Sequence, residues 1–253
     1  PLITRPFHTG AAYDRGALMM LAGTIWQREL VEFAQRRRAL VIKLAFPLLV
    51  GIPLVSAAPP FYAAMSLTML IAIIGTLGAG AVLTRERQSG LTLRYRTLPV
   101  TPGRLLIERL STSAVIDLLQ VMPVLALIAL RHPSGFAWWS ALLLSTASVL
   151  LLGNLMGAVA STLSDSPGEV MLYVFIPLLP LLYLSGVFTP LSHPVLLVVS
   201  RLLPFSYLHE SLLGALGGHP RLLPWETLLG GFGFLVGAAG MTGRLGRRVL
   251  ETD

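Results

Sequence analysis

The segment FYAAMSLTMLIAIIGTLGAGAVL, Phe61–Leu83, runs straight into the charged run TRERQSG, Thr84–Gly90. The first has 23 residues and no charge. As an α-helix rising 1.5 Å per residue it reaches about 35 Å, more than the ~30 Å hydrocarbon core of a bilayer. A helix apolar all round belongs in a core or in lipid. Five further stretches read the same way: Ala39–Ala57, Leu110–Leu130, Phe136–Leu163, Val170–Phe188 and Leu222–Met241. The fold class is all-α, a polytopic membrane protein with six transmembrane helices.

Composition agrees. Of 253 residues, 54% are hydrophobic and 12% charged, against about 25% charged in a soluble domain. The net charge of +7 does not point to nucleic acid, because no basic stripe with interleaved aromatics is present. With no cysteine, disulfides, zinc thiolate sites and thiol nucleophiles are excluded. The chain opens at Pro1, which reads as a trimmed start. No cleavable signal peptide is expected, since the first long apolar run follows Arg36-Arg37-Arg38 and is flanked like a true span.

The basic residues fix the orientation. Arg5, Arg15, Arg28, Arg36, Arg37 and Arg38 precede span one. Between spans two and three lie Arg85, Arg87, Arg94, Arg96, Arg104 and Arg109, and Arg244, Arg247 and Arg248 follow span six. Only Arg131, Arg201 and Arg221 fall on the opposite side, and Lys43 sits within span one. The positive-inside bias then puts both termini in the cytoplasm. Lys43 is expected to snorkel to the inner interface.

Three connecting segments have unusual character. Between spans two and three, Leu98-Pro99-Val100-Thr101-Pro102 ends any helix continuing from span two. Thr101 is then an N-cap with Pro102 at the first helical position, opening a short cytoplasmic helix over Gly103–Arg109, bent sharply against the membrane. It reads either as a solvated capped loop or as a docking knob for a cytosolic partner. Residues 189–221 are external yet largely apolar. Ser192-His193-Pro194 opens one short helix to Leu203, Pro204 interrupts, and Ser206 opens another to Leu216. Each is too short to span, which suggests a hairpin dipping into the outer leaflet. Residues 14–38 read as an interfacial helix with a loosely apolar face, and residues 242–253 as a cytoplasmic tail. The whole chain, 1–253, reads as one membrane domain.

The chemistry excludes several activities. A phosphate-binding P-loop ends in lysine after a glycine-rich turn, and the single lysine, Lys43, follows Leu40-Val41-Ile42. This sequence therefore holds no Walker-type site. Intramembrane hydrolysis needs a nucleophile and a general base at membrane depth, but His8, His132, His193, His209 and His219 all lie outside the spans. No catalytic residue and no metal site are expected. Within the spans the polar groups of interest are Asp117 and Gln120 in span three and Asn154 in span four. A carboxylate at a helix centre costs about 2.5–3.5 kcal/mol on insertion scales, so Asp117 faces a cavity or a partner. Two readings stay open: a polar element of a substrate path, or an interhelical hydrogen bond. Gly75, Gly78 and Gly80, and the GxxxG pairs Gly153/Gly157 and Gly233/Gly237, permit close helix approach.

The order of these features resembles the membrane subunit of a type-2 ATP-binding-cassette exporter, the family of drug, antibiotic and polysaccharide export permeases. The similarity rests on six spans with both ends inside, and on Glu86-Arg87-Gln88-Ser89-Gly90-Leu91-Thr92-Leu93 followed by Thr97-Leu98-Pro99-Val100. It rests also on Tyr183-Leu184-Ser185-Gly186-Val187-Phe188 followed by Leu203-Pro204-Phe205-Ser206-Tyr207 and Gly214. Leu91-Thr92 inverts the order common in the family, and the external hairpin is short for it. The resemblance implies a dimer, with a second permease subunit, over two cytosolic ATPase subunits that bind ATP and Mg. It implies a plasma membrane of bacterial or archaeal type, coupling through Glu86, Arg87, Pro99, Thr101, Arg104 and Glu108, and an interfacial role for the N-terminal helix. The expected cargo is an amphiphilic drug-like or lipid-like molecule. A polysaccharide or glycolipid permease of the same superfamily is one alternative; a non-transporting membrane scaffold or ion-conducting protein is another.

Overall fold

The computed structural model describes residues 37–88, 101–132 and 134–251, leaving aside the side chains of 37–40 and 247–251. Among the described residues every regular element is a helix. In chain order these are α1 (Arg37–Ala57), α2 (Pro60–Gln88), α3 (Pro102–Arg131), α4 (Phe136–Thr162), α5 (Pro167–Leu184), α6 (Pro194–Arg201), α7 (Pro204–Ala215) and α8 (Pro224–Glu251). Five of them, α2, α3, α4, α5 and α8, are long and apolar enough to cross a membrane. Within α1 the apolar stretch Val41–Ala57 is shorter, and the bent pair α6–α7 passes the same test when its two helices are taken together, which gives up to six spans among the described residues. The protein is thus an all-helical polytopic membrane protein. The expected interfacial helix lies outside the described residues except for its last two, which open α1.

Helix ends follow local chemistry. Thr101 is extended with Pro102 behind it at the first helical position, as expected, although the Thr101 side chain makes no capping bond. Ser166 caps α5 by accepting from the Glu169 N–H, while the Glu169 carboxylate reaches back to the Asp165 N–H at 2.8 Å. This is the reciprocal arrangement of a capping box shifted by one residue. Helices α5 and α7 end at Gly186 and Gly217, both with φ near +75°. At each, the following N–H bonds back across the last turn, Val187 to the Leu182 carbonyl and Gly218 to that of Leu213. These are Schellman closures, which favour a residue without Cβ.

Two expectations about helix breaks are corrected. The short bent helix over Gly103–Arg109 is instead the first part of α3, continuous through Arg131. No proline or glycine pair interrupts the ladder between Gly103 and Leu110, so nothing forces a bend. Thirty residues rise about 45 Å, so the first two to three turns project beyond a ~30 Å core. Likewise α2 continues through Gln88, with Arg85 and Arg87 in its last turn, where cations suit the helix dipole. Residues 242–251 extend α8 as helix. In the hairpin, Pro204 begins α7 instead of merely interrupting, and Ser206 is not its cap. The Ser206 hydroxyl sits 2.6 Å from the Ser200 carbonyl and 2.7 Å from that of Leu203, tying α6 to α7 across a 96° bend.

Helices α2 and α4 form the centre of the bundle. They cross at glycine: a Cβ on Gly153 would stand 3.0 Å from the Gly75 carbonyl carbon, and one on Gly157 would strike the Thr76 carbonyl oxygen. Of the two GxxxG pairs, Gly153/Gly157 is spent within the chain, whereas Gly233 and Gly237 face open space. Thr68, Thr76 and Thr84 satisfy their hydroxyls on carbonyls four residues back in α2, at 2.7, 2.9 and 3.0 Å. The hairpin helix α7 is buried from Phe205 to Leu216 but for the half-exposed Tyr207. It packs on α2, α4 and α8, so the segment that reads as external is part of the core on the hairpin side.

Candidate functional site

The ends of α2, α3, α4 and α8 meet on one side of the bundle, opposite the hairpin. There the charged run after span two splits into an inward and an outward set. Glu86 accepts a charge-assisted hydrogen bond from Arg109 of α3, with the two side chains only 12% and 13% exposed. The Arg87 guanidinium donates to the Ser161 carbonyl at the end of α4. Gln88 Nε2 donates to the Asp165 carbonyl at 2.7 Å, in the α4–α5 turn. Sequence singled out Glu86 and Arg87 as coupling residues; the structure turns both toward neighbouring helices, where they clamp α2 to α3 and α4. The partners Arg109, Ser161 and Asp165 were missed as such. They lie 23, 74 and 77 positions away, and two of them act through backbone carbonyls that any residue would supply.

The outward set is on α3. Thr101 is exposed. Arg104 Nε lies 3.0 Å from Glu108 Oε1, with side-chain exposures of 74% and 30%. Such an i,i+4 pair contributes only a few tenths of a kcal/mol to the helix, so little holds either side chain to the fold. Pro99 lies outside the described residues.

Beneath the exposed pair, α3 touches α8 backbone to backbone. A Cβ on Gly103 would sit 2.6 Å from the Gly243 carbonyl oxygen, and one on Gly246 would overlap the Gly103 Cα. A Cβ on Gly243 would meet only Ile107 Cδ1, at 3.6 Å. Gly246→Ala and Gly103→Ala are therefore expected to lower the melting temperature of the detergent-solubilised chain, an overpacking loss of about 1–3 kcal/mol. Gly243→Ala, one turn away, is expected to hold it or raise it slightly, since Ala is the better helix former.

The intramembrane polar residues come together as a node. Asn154 Nδ2 donates to Asp117 Oδ2 at 2.9 Å and to its own helix at the Leu150 carbonyl, also 2.9 Å. Its Oδ1 accepts from the Ala79 N–H at 3.1 Å. Asp117 is 4% exposed and Asn154 fully buried. Gly78 leaves the space the carboxylate occupies: a Cβ there would be 3.1 Å from Asp117 Oδ2. The node thus joins α2, α3 and α4, with Lys43 of α1 within electrostatic reach of Asp117. Gln120 is buried one turn along α3. Ser148 of α4 donates to the Ser145 carbonyl at 2.8 Å and takes no part in the node.

On the hairpin side a second buried carboxylate was missed. Glu210 of α7 is buried, and Arg221, in the turn before α8, donates to it through Nε at 2.7 Å and through its backbone N–H. A lone acid in an apolar stretch is the signal that identifies such a residue. His209 is buried edge-on against Phe61, ring centroids 5.3 Å apart, while His193 caps α6 and His219 is exposed.

Comparison with known families finds that the family described as ABC-2 type transporter matches residues 20–216. No curated protein matches the chain.

Proposed function

The chain belongs to the ABC-2 type transporter family, and on that premise we propose that it is the permease subunit of an ATP-driven exporter. Its cargo is an amphiphilic drug-like or lipid-like molecule taken from the cytoplasm or the inner leaflet. A separate cytosolic subunit hydrolyses ATP, and a second permease subunit, identical or related, completes the translocation path. Both termini and the projecting end of α3 then face the cytoplasm, the orientation that the arginine distribution favours.

The observation that carries this reading is the family match over most of the chain, including both the charged run and the hairpin. The geometry adds a contact surface: Thr101 and Arg104 are exposed and Glu108 partly so, on a helix end joined to the bundle by Glu86–Arg109 and by the Gly103–Gly246 contact. A push on that end moves α3, continuous from Pro102 to Arg131 with Pro123 inside it, and α8 with it. Closure of the ATPase pair is proposed to drive that push. Asp117, Gln120 and Asn154 are the polar groups exposed to cargo when α2, α3 and α4 part.

Charge reversal tests the coupling step. Arg104→Glu and Glu108→Arg are each expected to cut transport per ATP hydrolysed at least tenfold in vesicles reconstituted with the ATPase subunit. Thermal stability should stay within about 0.5 kcal/mol, as for other exposed substitutions. Unchanged coupling in both variants removes the docking role. Affinity isolation in mild detergent followed by mass spectrometry tests the subunit: a P-loop ATPase is expected in the eluate, and its consistent absence overturns the exporter reading.

A further inference from the structure

Three segments on the hairpin side converge on one guanidinium. Arg221, in the irregular stretch between α7 and α8, donates through Nε to Glu210 Oε1 of α7 at 2.7 Å, and its Nη2 lies 2.7 Å from the same oxygen. Its backbone N–H bonds to the other carboxylate oxygen. The Glu210 side chain is 2% exposed and that of Arg221 35%, so the carboxylate is sealed in and the cation stands at the rim. The third segment is the end of α5: a Cβ on Gly186 would stand 3.0 Å from Arg221 Nη2. A cation suits that position, because the helix dipole is negative there.

What Arg221 holds is lightly attached otherwise. Among the described residues, 219–222 hydrogen-bond to the fold only through Arg221. Helix α5 buries Val170, Val174, Leu178 and Leu182, one stripe at every fourth position, and leaves Leu172, Ile176 and Tyr183 exposed. Pro177 and Pro180 lie inside it. Each lacks the N–H that would close a turn and crowds the carbonyl four residues back, a physical cause of helix hinges. The cytoplasmic half of α5 is fastened separately, by the Ser166 cap and by the Gln88 bond to Asp165. Residues 181–187 lie beyond both prolines, with Arg221 against their end.

We propose that Arg221 is a latch. Engaged on Glu210, it holds the hairpin-side end of α5 and the start of α8 against α7; released, it lets residues 181–187 swing on Pro177 and Pro180. The latch itself does not depend on transport. That its release belongs to the ATP cycle rests on the exporter reading, so the two parts are tested separately.

The experiment follows hydrogen–deuterium exchange of the full chain in nanodiscs. Glu210→Leu/Arg221→Leu removes both charges, which is often close to neutral for stability, so the melting temperature should stay near that of the parent. Exchange over residues 181–187 is expected to rise at least tenfold, while residues 150–157, at the α2–α4 crossing, keep their protection. Arg221→Lys, which keeps a cation for Glu210 but not the fork, should raise it about threefold and serves if the double variant does not fold. No rise, or a rise shared equally by residues 150–157, overturns the latch. In the complex with the ATPase subunit, a non-hydrolysable ATP analogue should raise exchange over 181–187 in the parent and add nothing in the double variant. Exchange in the parent indifferent to the analogue overturns the release. If no ATPase subunit co-isolates, the exporter reading fails and the nucleotide-free result still decides the latch.

Discussion

Gly157→Leu is expected to abolish the native bundle: the variant should elute as aggregate, or melt far below the unaltered chain, in size exclusion and thermal unfolding. The reason is geometric. A Cβ on Gly157 strikes the Thr76 carbonyl oxygen and comes within 3.0 Å of the Gly80 amide nitrogen. Both belong to backbone, which cannot rotate aside as a side-chain tip does. The two central helices would have to separate, opening the Asn154–Ala79 bond at the same crossing. Overpacking in a core costs about 1–3 kcal/mol where side chains can adjust, and more where they cannot. Association of helices in lipid rests on close packing, not on hydrophobic expulsion, so little compensates a lost crossing. Gly237→Leu supplies the control, because that GxxxG position faces open space; a melting temperature unchanged there and unchanged at Gly157 would refute the argument.

Removing one member of the Glu86–Arg109 pair is expected to be nearly as damaging. Both side chains are almost fully covered, so Glu86→Ala leaves a guanidinium buried against α2 without its carboxylate. Breaking a buried pair this way costs about 3–5 kcal/mol, whereas replacing both members by apolar residues of similar size is often close to neutral. Arg109→Met should therefore destabilise as Glu86→Met does, and Glu86→Met/Arg109→Met should recover most of the loss. The coupling energy from that cycle, read from thermal unfolding in detergent, distinguishes a structural clamp from a surface charge. Single variants within about 0.5 kcal/mol of the parent would show that the pair is not the clamp described. Export and ATPase coupling should fall with stability at Glu86, but independently of it at Arg104, which keeps inward and outward charges experimentally separate.

Which residues form helices was largely legible, because 20-residue apolar runs have few other solutions in a bilayer. Where the helices end was not. Sequence reading stopped α2 at Leu83 and started the third span at Leu110, since polarity rises there. A helical ladder tolerates polar side chains once it leaves the lipid, so α2 continues through Arg85–Gln88 and α3 begins at Pro102. The hairpin illustrates the opposite error. Its two helices and the Pro204 break were visible, but the assignment of Ser206 as a cap missed that its hydroxyl reaches the preceding helix at Ser200.

The candidate site divided along the same line. Arg104 and Glu108 are neighbours by helical spacing, and their exposure follows from the polarity of that turn. The partner of Asp117 was not legible: Asn154 bonds both to it and to the Ala79 N–H, 37 and 75 positions away. Nothing in the spacing of these residues announces that geometry.

Hydropathy by itself determined the class of the protein and five of its long apolar helices, and arginine placement gives the side expected for its ends, because transfer into lipid is a property of each segment alone. Which glycines are filled by a neighbouring backbone and which face open space, and which acids are clamped inward and which reach solvent, was decided only by the packing of α2, α3, α4 and α8. Those are pairwise distances between segments distant along the chain, and a one-dimensional pattern does not contain them.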